Sequence, residues 1–314
     1  MASTNESGSI FANTTFKGDP KPLLEAFDYI KIFITVGIIV GNSLVIYVIM
    51  AVRSLREHAS PNWYILSLGI ADLLVGLVNN PGYYICLRVS CSPLVKKVWL
   101  HCANFTFLAS SYNLCALTLD RYMAVIHPFR HHAFMTPARC ISVIVTAWVA
   151  SLLLQLIGFI VSLDNDPLAN YIDTIIYVIL ANTIPSVFVI FSYVRILIQV
   201  RRHKKQIETH EMQLAANSHE IIQREKSTKR IGNRVRTSWA TVGIVVLVFV
   251  TSNAFVQYWF ICTLSGSCST SPAFIKFLVA GRYINSCVNF FVYVIMKEDF
   301  RCGIRKMMSC KREN

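Results

Sequence analysis

Seven stretches of this 314-residue chain are apolar for long enough to cross a bilayer, and no other feature narrows its fold as much. They run roughly from Phe27 to Val52, Pro61 to Leu87, Val95 to Tyr122, Ala138 to Leu163, Asn170 to Val200, Thr237 to Leu264 and Ser271 to Met296. Each is apolar around most of its circumference, as a helix in lipid must be. The short alternating strands of a membrane barrel are absent. The expected fold is an all-α membrane protein, a bundle of seven helices. Charged residues make up 15% of the chain, against about 25% in a soluble domain. That excludes disorder, collagen and a disulfide-rich secreted module, and it speaks against an ordinary cytosolic enzyme. No internal repeat is evident, which counts against an inverted-repeat transporter.

The net charge is +13, from 30 Lys and Arg against 17 Asp and Glu. In a soluble protein this would point to nucleic acid. Here the basic residues follow the loops. One set of connections holds Arg53, Arg56, Arg130, Arg139 and the basic run from Arg201 to Arg236, and the C-terminal tail adds Lys297, Arg301, Arg305, Lys306, Lys311 and Arg312. The other set holds only Lys17, Lys21, Arg88, Lys96, Lys97 and Lys276. Positive loops face the cytoplasm. The C-terminus is therefore expected inside and the N-terminus outside, with no nucleic acid needed to explain the charge. Residues 1–26 are polar, lack an apolar signal region, and read as an extracellular tail. The tail carries glycosylation sequons at Asn5 and Asn13. Residues 27–296 form the membrane domain. Residues 297–314 interleave Phe300, Ile304, Met307 and Met308 with basic residues, as an amphipathic helix on an anionic leaflet would. Cys302 or Cys310 offers a palmitoylation site there, with a free thiol as the alternative.

The third segment ends in Asp120-Arg121-Tyr122, followed by Met123-Ala124-Val125-Ile126-His127-Pro128-Phe129. Gly41-Asn42-Ser43-Leu44-Val45 lies in the first segment, and the run from Leu66 to Leu73 ends in Ala71-Asp72-Leu73 in the second. Trp148, Pro185 and Tyr193 follow, and Asn289-Phe290-Phe291-Val292-Tyr293 closes the seventh. In order and spacing these resemble the motifs of rhodopsin-like G-protein-coupled receptors over about residues 27–310. The resemblance implies a plasma-membrane receptor that binds an extracellular small molecule or peptide within the bundle and activates heterotrimeric G proteins. It implies a switch built from Asp120, Arg121, Tyr122, Tyr193, Asn289 and Tyr293, with Phe129 inserting into the G protein. It implies a pocket walled by Ala103, Asn104, Phe107, Tyr177, Ala181, Asn253, Val256, Gln257, Phe260, Val279, Arg282 and Tyr283. It also implies an allosteric sodium site at Asp72 with Asn42, Ser110, Asn285, Ser286 and Asn289, whose oxygens suit a hard cation. A hydrated polar network around Asp72 is the alternative to sodium. No other cofactor is expected.

The departures from the family pattern are specific. Asn253 stands where the sixth helix usually has Trp, Phe255 where it has Pro, and Phe290 where the seventh has Pro. Lys96 replaces the usual third-helix Cys. Cys262 and Cys268 bracket a short loop and suit a local disulfide, and Cys86, Cys91 and Cys102 are further candidates. The short second outer loop and this Cys pair resemble melanocortin receptors, while the stretch from Ile70 to Gly76 looks more like adenosine or amine receptors. Amine receptors place an Asp where Ala103 stands, and the nearest substitutes are Asp28 and Asp173 near the rim. Arg282 lies ~15 Å into the seventh helix by helical rise. It admits three roles: receiving an anionic ligand group, pairing with Asp72, or bonding to carbonyls and water. His127, His131 and His132 read as solvated or facing headgroups. A channel or transporter would want more intramembrane charge than Asp72 and Arg282 supply. For an enzyme, neither metal-ligand nor nucleophile motifs are present.

Overall fold

The computed structural model describes residues 21–53, 55, 61–89, 91–215, 243–262, 272–296, 300–302 and 305. The sequons at Asn5 and Asn13, together with Cys268, Cys310 and the side chain of Tyr293, lie outside the described parts. The helices are α1 (Lys21–Ala51), α2 (Pro61–Val89), α3 (Pro93–Ile126), α4 (Pro128–Phe134), α5 (Pro137–Leu163), α6 (Pro167–Val178), α7 (Ile184–Ala215), α8 (Gly243–Cys262) and α9 (Pro272–Met296). One π-helical turn, Ile179–Thr183, joins α6 to α7, so these form a single bent span.

Proline sets many of the boundaries. It opens α2, α3, α4, α5, α6 and α9, where a missing N–H costs nothing. Ser92 caps α3 by accepting from Val95 N, and Asp166 caps α6 by accepting from Leu168 N. The connection before α6 is therefore only Asp164–Asp166, shorter than the loop expected up to Ala169. Pro185 sits just after the π turn. It cannot donate to the carbonyl one turn back, and the widened turn absorbs the resulting gap.

Among the described residues, five of the seven expected spans are long and apolar enough to cross a membrane, by length and composition alone. The other two, α3 and α9, contain Lys96, Lys97, Asp120 and Arg121, and Lys276 and Arg282, respectively. Their position explains the difference. The α3 helix packs against α2, α5 and α7, while α9 packs against α1 and α2. Polar side chains on these two helices face other helices rather than lipid. The main core gathers Val45, Tyr64, Leu68, Leu114, Val189, Phe249, Val292 and Phe300 from six helices and the tail. Buried Phe300 ties the start of the C-terminal segment to the bundle, while Arg301 and Cys302 are exposed.

Polar ties complete the packing. Trp148 Nε1 donates to Ser67 Oγ at 2.9 Å, and Ser67 Oγ donates to Asn113 Oδ1 at 2.6 Å, joining α5, α2 and α3. Cys86 and Cys91 form a disulfide that closes the connection between α2 and α3. Cys102 is free, and Cys262 is also disulfide-bonded. Gly41 has no side chain, and a Cβ there would overlap the Phe290 ring. The aromatic residue that replaces the family's proline is thus seated against a glycine on α1.

Candidate functional site: a polar axis from Arg282 to Arg121

Asp72 is fully buried. Ser110 Oγ donates to its Oδ1 at 2.6 Å, and Asn289 Nδ2 donates to its Oδ2 at 2.9 Å. One carboxylate thereby links α2, α3 and α9. Asn42 is turned elsewhere: its Nδ2 donates to Ile38 O at 3.0 Å and Ser286 O at 3.4 Å, so it braces α1 against α9 rather than touching Asp72. Ser286 Oγ, Asn285 Oδ1 and Asn289 Oδ1 are buried without a hydrogen-bond partner among the described residues. Leaving such groups dry is unfavourable, so they call for water or an ion.

Asn285 and Ser286 border a small cavity of about 20 Å³, lined also by Phe107, Ser110, Ser111, Phe249, Ser252, Asn253 and Arg282. Arg282 is its one charged lining residue among the described residues. Arg282 Nη2 donates to Tyr177 Oη at 3.2 Å, and the guanidinium carbon lies 4.0 Å from the centre of the Phe107 ring. Tyr177 in turn donates to Asn104 Oδ1 over a long 3.5 Å, and Tyr283 meets Phe107 edge-on. A half-buried cation over an aromatic face gains about 1 kcal/mol, which offsets part of the penalty of an Arg at this depth. No carboxylate pairs with Arg282 among the described residues. In particular Asp72, already holding Ser110 and Asn289, is not its partner.

The expected pocket residues divide. Asn104, Phe107, Tyr177, Arg282 and Tyr283 form one contiguous network, and Asn253 lines the same cavity while donating to Ser186 Oγ at 3.2 Å. Ala181 is buried beside the π turn, Gln257 donates to Thr183 Oγ1 at 3.4 Å, and Val279 packs against Ile38, Val75 and Tyr283. Ala103 is buried, whereas Val256 and Phe260 are half-buried and are not among the cavity's lining residues. Ser111 and Ser252 line the cavity but were not singled out in the sequence. Ser111 shares the helical face of Phe107, four residues earlier, and that spacing is the signal that could have found it. Of the two rim acids, Asp28 is committed elsewhere. Asp28 pairs with Lys31 at 2.9 Å and Lys276 at 2.8 Å, and the carboxylate of Asp173 packs against Gly158.

At the far end of the axis Asp120 is buried, with Arg121 Nε 4.0 Å from its Oδ2. Its other oxygen, Oδ1, lies 3.2 Å from His131 Nε2. This corrects the sequence reading of His131 as solvated. The seven-residue helix α4, started by Pro128 and closed by Met135 N donating to His131 O, folds the loop back and delivers the imidazole to Asp120. Phe129, on the same short helix, is 98% exposed. Tyr122 lies against Phe191 of α7, and a Cβ on Gly243 would overlap the hydroxyl of Tyr193, so α7 and α8 meet closely there.

Several known receptors resemble most of the chain. Octopamine receptor beta-1R of Drosophila melanogaster is 25% identical over 88% of this chain and 60% of its own length. 5-Hydroxytryptamine receptor 6 of Mus musculus is 26% identical over 86% of the chain and 68% of its own length. Histamine H2 receptor of Cavia porcellus is 26% identical over 90% and 78%. The chain thus spans about three-fifths of the octopamine receptor it matches. The seven-transmembrane receptor family, rhodopsin type, matches residues 41–293, from the glycine that admits Phe290 to the tyrosine that closes the last motif. On that match, and on the helical bundle with its buried Asp72 and Asp120–Arg121 pair, this chain belongs to the rhodopsin family of seven-transmembrane receptors.

Proposed function

We propose that the chain is a plasma-membrane receptor, N-terminus outside, that binds an extracellular ligand inside the bundle and activates heterotrimeric G proteins. The observation that carries this is that one helix, α3, joins two polar sites. The cavity beneath Arg282 shares Ser110 with the Asp72 link, and α3 carries Ser110 and the Asp120–Arg121 pair on one helix. A ligand that moves α3 or α9 therefore shifts the surroundings of Arg121. Arg121 is already partly exposed, and its fixed charge and fanned donors suit it to meet carbonyls of a docked partner. Exposed Phe129 supplies an apolar contact beside it. Relatives named for octopamine, 5-hydroxytryptamine and histamine support a small-molecule ligand. Receptor function needs no chemistry of the chain's own.

The test is Arg121→Ala in intact cells. Signalling should be abolished while surface expression stays close to wild type. Undiminished signalling by a surface-expressed variant would remove Arg121 from the switch.

We further propose that the oxygens around Asp72 hold sodium. The three buried oxygens without partners, with the carboxylate and Ser110, make a hard-oxygen set that fits such an ion. Bound sodium would supply a positive charge that offsets the buried carboxylate. Raising sodium should then raise the thermal stability of the ligand-free receptor, and Asp72→Asn should remove that response. The same response in wild type and variant would leave only a hydrated network.

A further inference from the structure

We propose that the groove between the inner ends of α3 and α7 binds an anionic lipid of the cytoplasmic leaflet, one whose headgroup carries more than one phosphate. The inference goes beyond the receptor reading and takes from it only the orientation, which names the leaflet.

The groove has a volume of about 140 Å³ and is lined by Ile126, at the end of α3, and by Arg195, Ile198, Gln199 and Arg202 on α7. The α7 residues follow at i, i+3, i+4 and i+7, so they share one helix face. Both arginines and Ile198 are exposed. Among the described residues no acid pairs with either arginine, and no carboxylate lines the groove. The wall therefore carries two permanent positive charges and no counter-charge. Each guanidinium presents a planar fork of donors that matches phosphate oxygens. Gln199 Nε2 lies 3.0 Å from His203 Nε2, which continues the polar edge one turn further.

Depth says where the phosphates come from. The bent span that begins at Pro167 runs on to His203. By helical rise Arg195 stands ~42 Å along it and Arg202 ~10 Å beyond. A bilayer with its headgroups is about 40–45 Å thick. Arg195 thus reaches the headgroup layer opposite the end where α6 starts, and Arg202 stands just outside it. Arg201, Lys204 and Lys205 add to the charge at this level, and such a basic cluster attracts polyphosphoinositides. Two guanidiniums two turns apart suit two phosphates, whereas a lipid with one phosphate satisfies only one of them. Ile126 and Ile198 offer apolar surface to the acyl end. The groove is too small for a helix of a protein partner, which is about 10 Å across with its side chains.

The experiment is native mass spectrometry of the purified full chain in detergent, which counts bound lipid and needs no assumption about orientation. The probes are dioctanoyl phosphatidylinositol 4,5-bisphosphate, dioctanoyl phosphatidylserine, and inositol 1,4,5-trisphosphate, which has the phosphates without acyl chains. The bisphosphate lipid should bind the wild type several-fold more tightly than either other probe. Arg195→Gln and Arg202→Gln should each weaken it about fivefold, and Arg195→Lys should weaken it by less, since Lys keeps the charge but not the fork. Arg301→Gln with Arg305→Gln removes the same charge from the exposed tail and should leave the affinity nearly unchanged. Equal losses in the groove pair and the tail pair would mean diffuse attraction and would overturn the proposal. Phosphatidylserine bound as tightly would overturn the headgroup, and trisphosphate bound as tightly would overturn the lipid. If the Gln variants do not fold, Arg195→Lys and Arg202→Lys decide, and an unchanged titration by both overturns the site. Gln variants that keep their lipid affinity but slow nucleotide exchange on added G proteins would assign the groove to the G protein, which also overturns it.

Discussion

Asp120 is held on both sides, by Arg121 on its own helix and by His131 from the short helix α4. Both contacts depend on the carboxylate. Asp120→Asn keeps the shape but removes the charge, so Arg121 loses its local partner and α4 loses part of its anchor. Basal nucleotide exchange should rise several-fold, and unchanged basal exchange in a well-expressed variant would mean that the pair does not restrain the switch. The contact with His131 was not legible in the sequence, because a histidine in a basic loop looks solvated until the loop's own fold is known. Arg282 was legible in depth and direction, since its spacing from Asn285 and Asn289 places it on their face. Its partners were not, because Phe107 and Tyr177 come from other helices and any of several residues there had the right chemistry. Asn42 shows the opposite failure. It was grouped with Asp72 by family pattern, but its amide is used by Ile38 and Ser286.

At the scale of the helix pair, α1 and α9 approach where Gly41 faces Phe290. A methyl group at Gly41 must displace that ring in a closely packed seam. Gly41→Ala should cost about 1–3 kcal/mol of stability, and Phe290→Ala in the same chain should recover much of the loss. The coupling in the double-mutant cycle is the measurement, and additive effects would mean that the two residues do not meet. A second test lies at the α2–α3–α5 junction, where Trp148→Phe removes the bond to Ser67. Hydrogen bonds between membrane helices average about 0.6 kcal/mol and reach about 1.7. The loss should fall in that range, checked by thermal unfolding in detergent. Helix existence and order were readable because apolar length alone demands them. The π turn before Pro185 and the delivery of His131 by α4 were not, since both depend on how a helix meets its neighbours.

For the whole molecule, the five strongly apolar spans and the two more polar ones divide the work. The α3 and α9 helices carry Ser110, Asp120, Arg121, Arg282 and Asn289, the groups that link one end of the bundle to the other. The central claim is that this axis couples the bundle to a G protein through Arg121. The most direct measurement reconstitutes the purified chain in lipid vesicles with a panel of heterotrimeric G proteins and follows nucleotide exchange for wild type, Asp120→Asn and Arg121→Ala. At least one G protein should exchange faster with wild type than with empty vesicles, faster still with Asp120→Asn, and at the empty-vesicle rate with Arg121→Ala. Equal rates for all three folded proteins, or acceleration that survives in Arg121→Ala, would contradict the account.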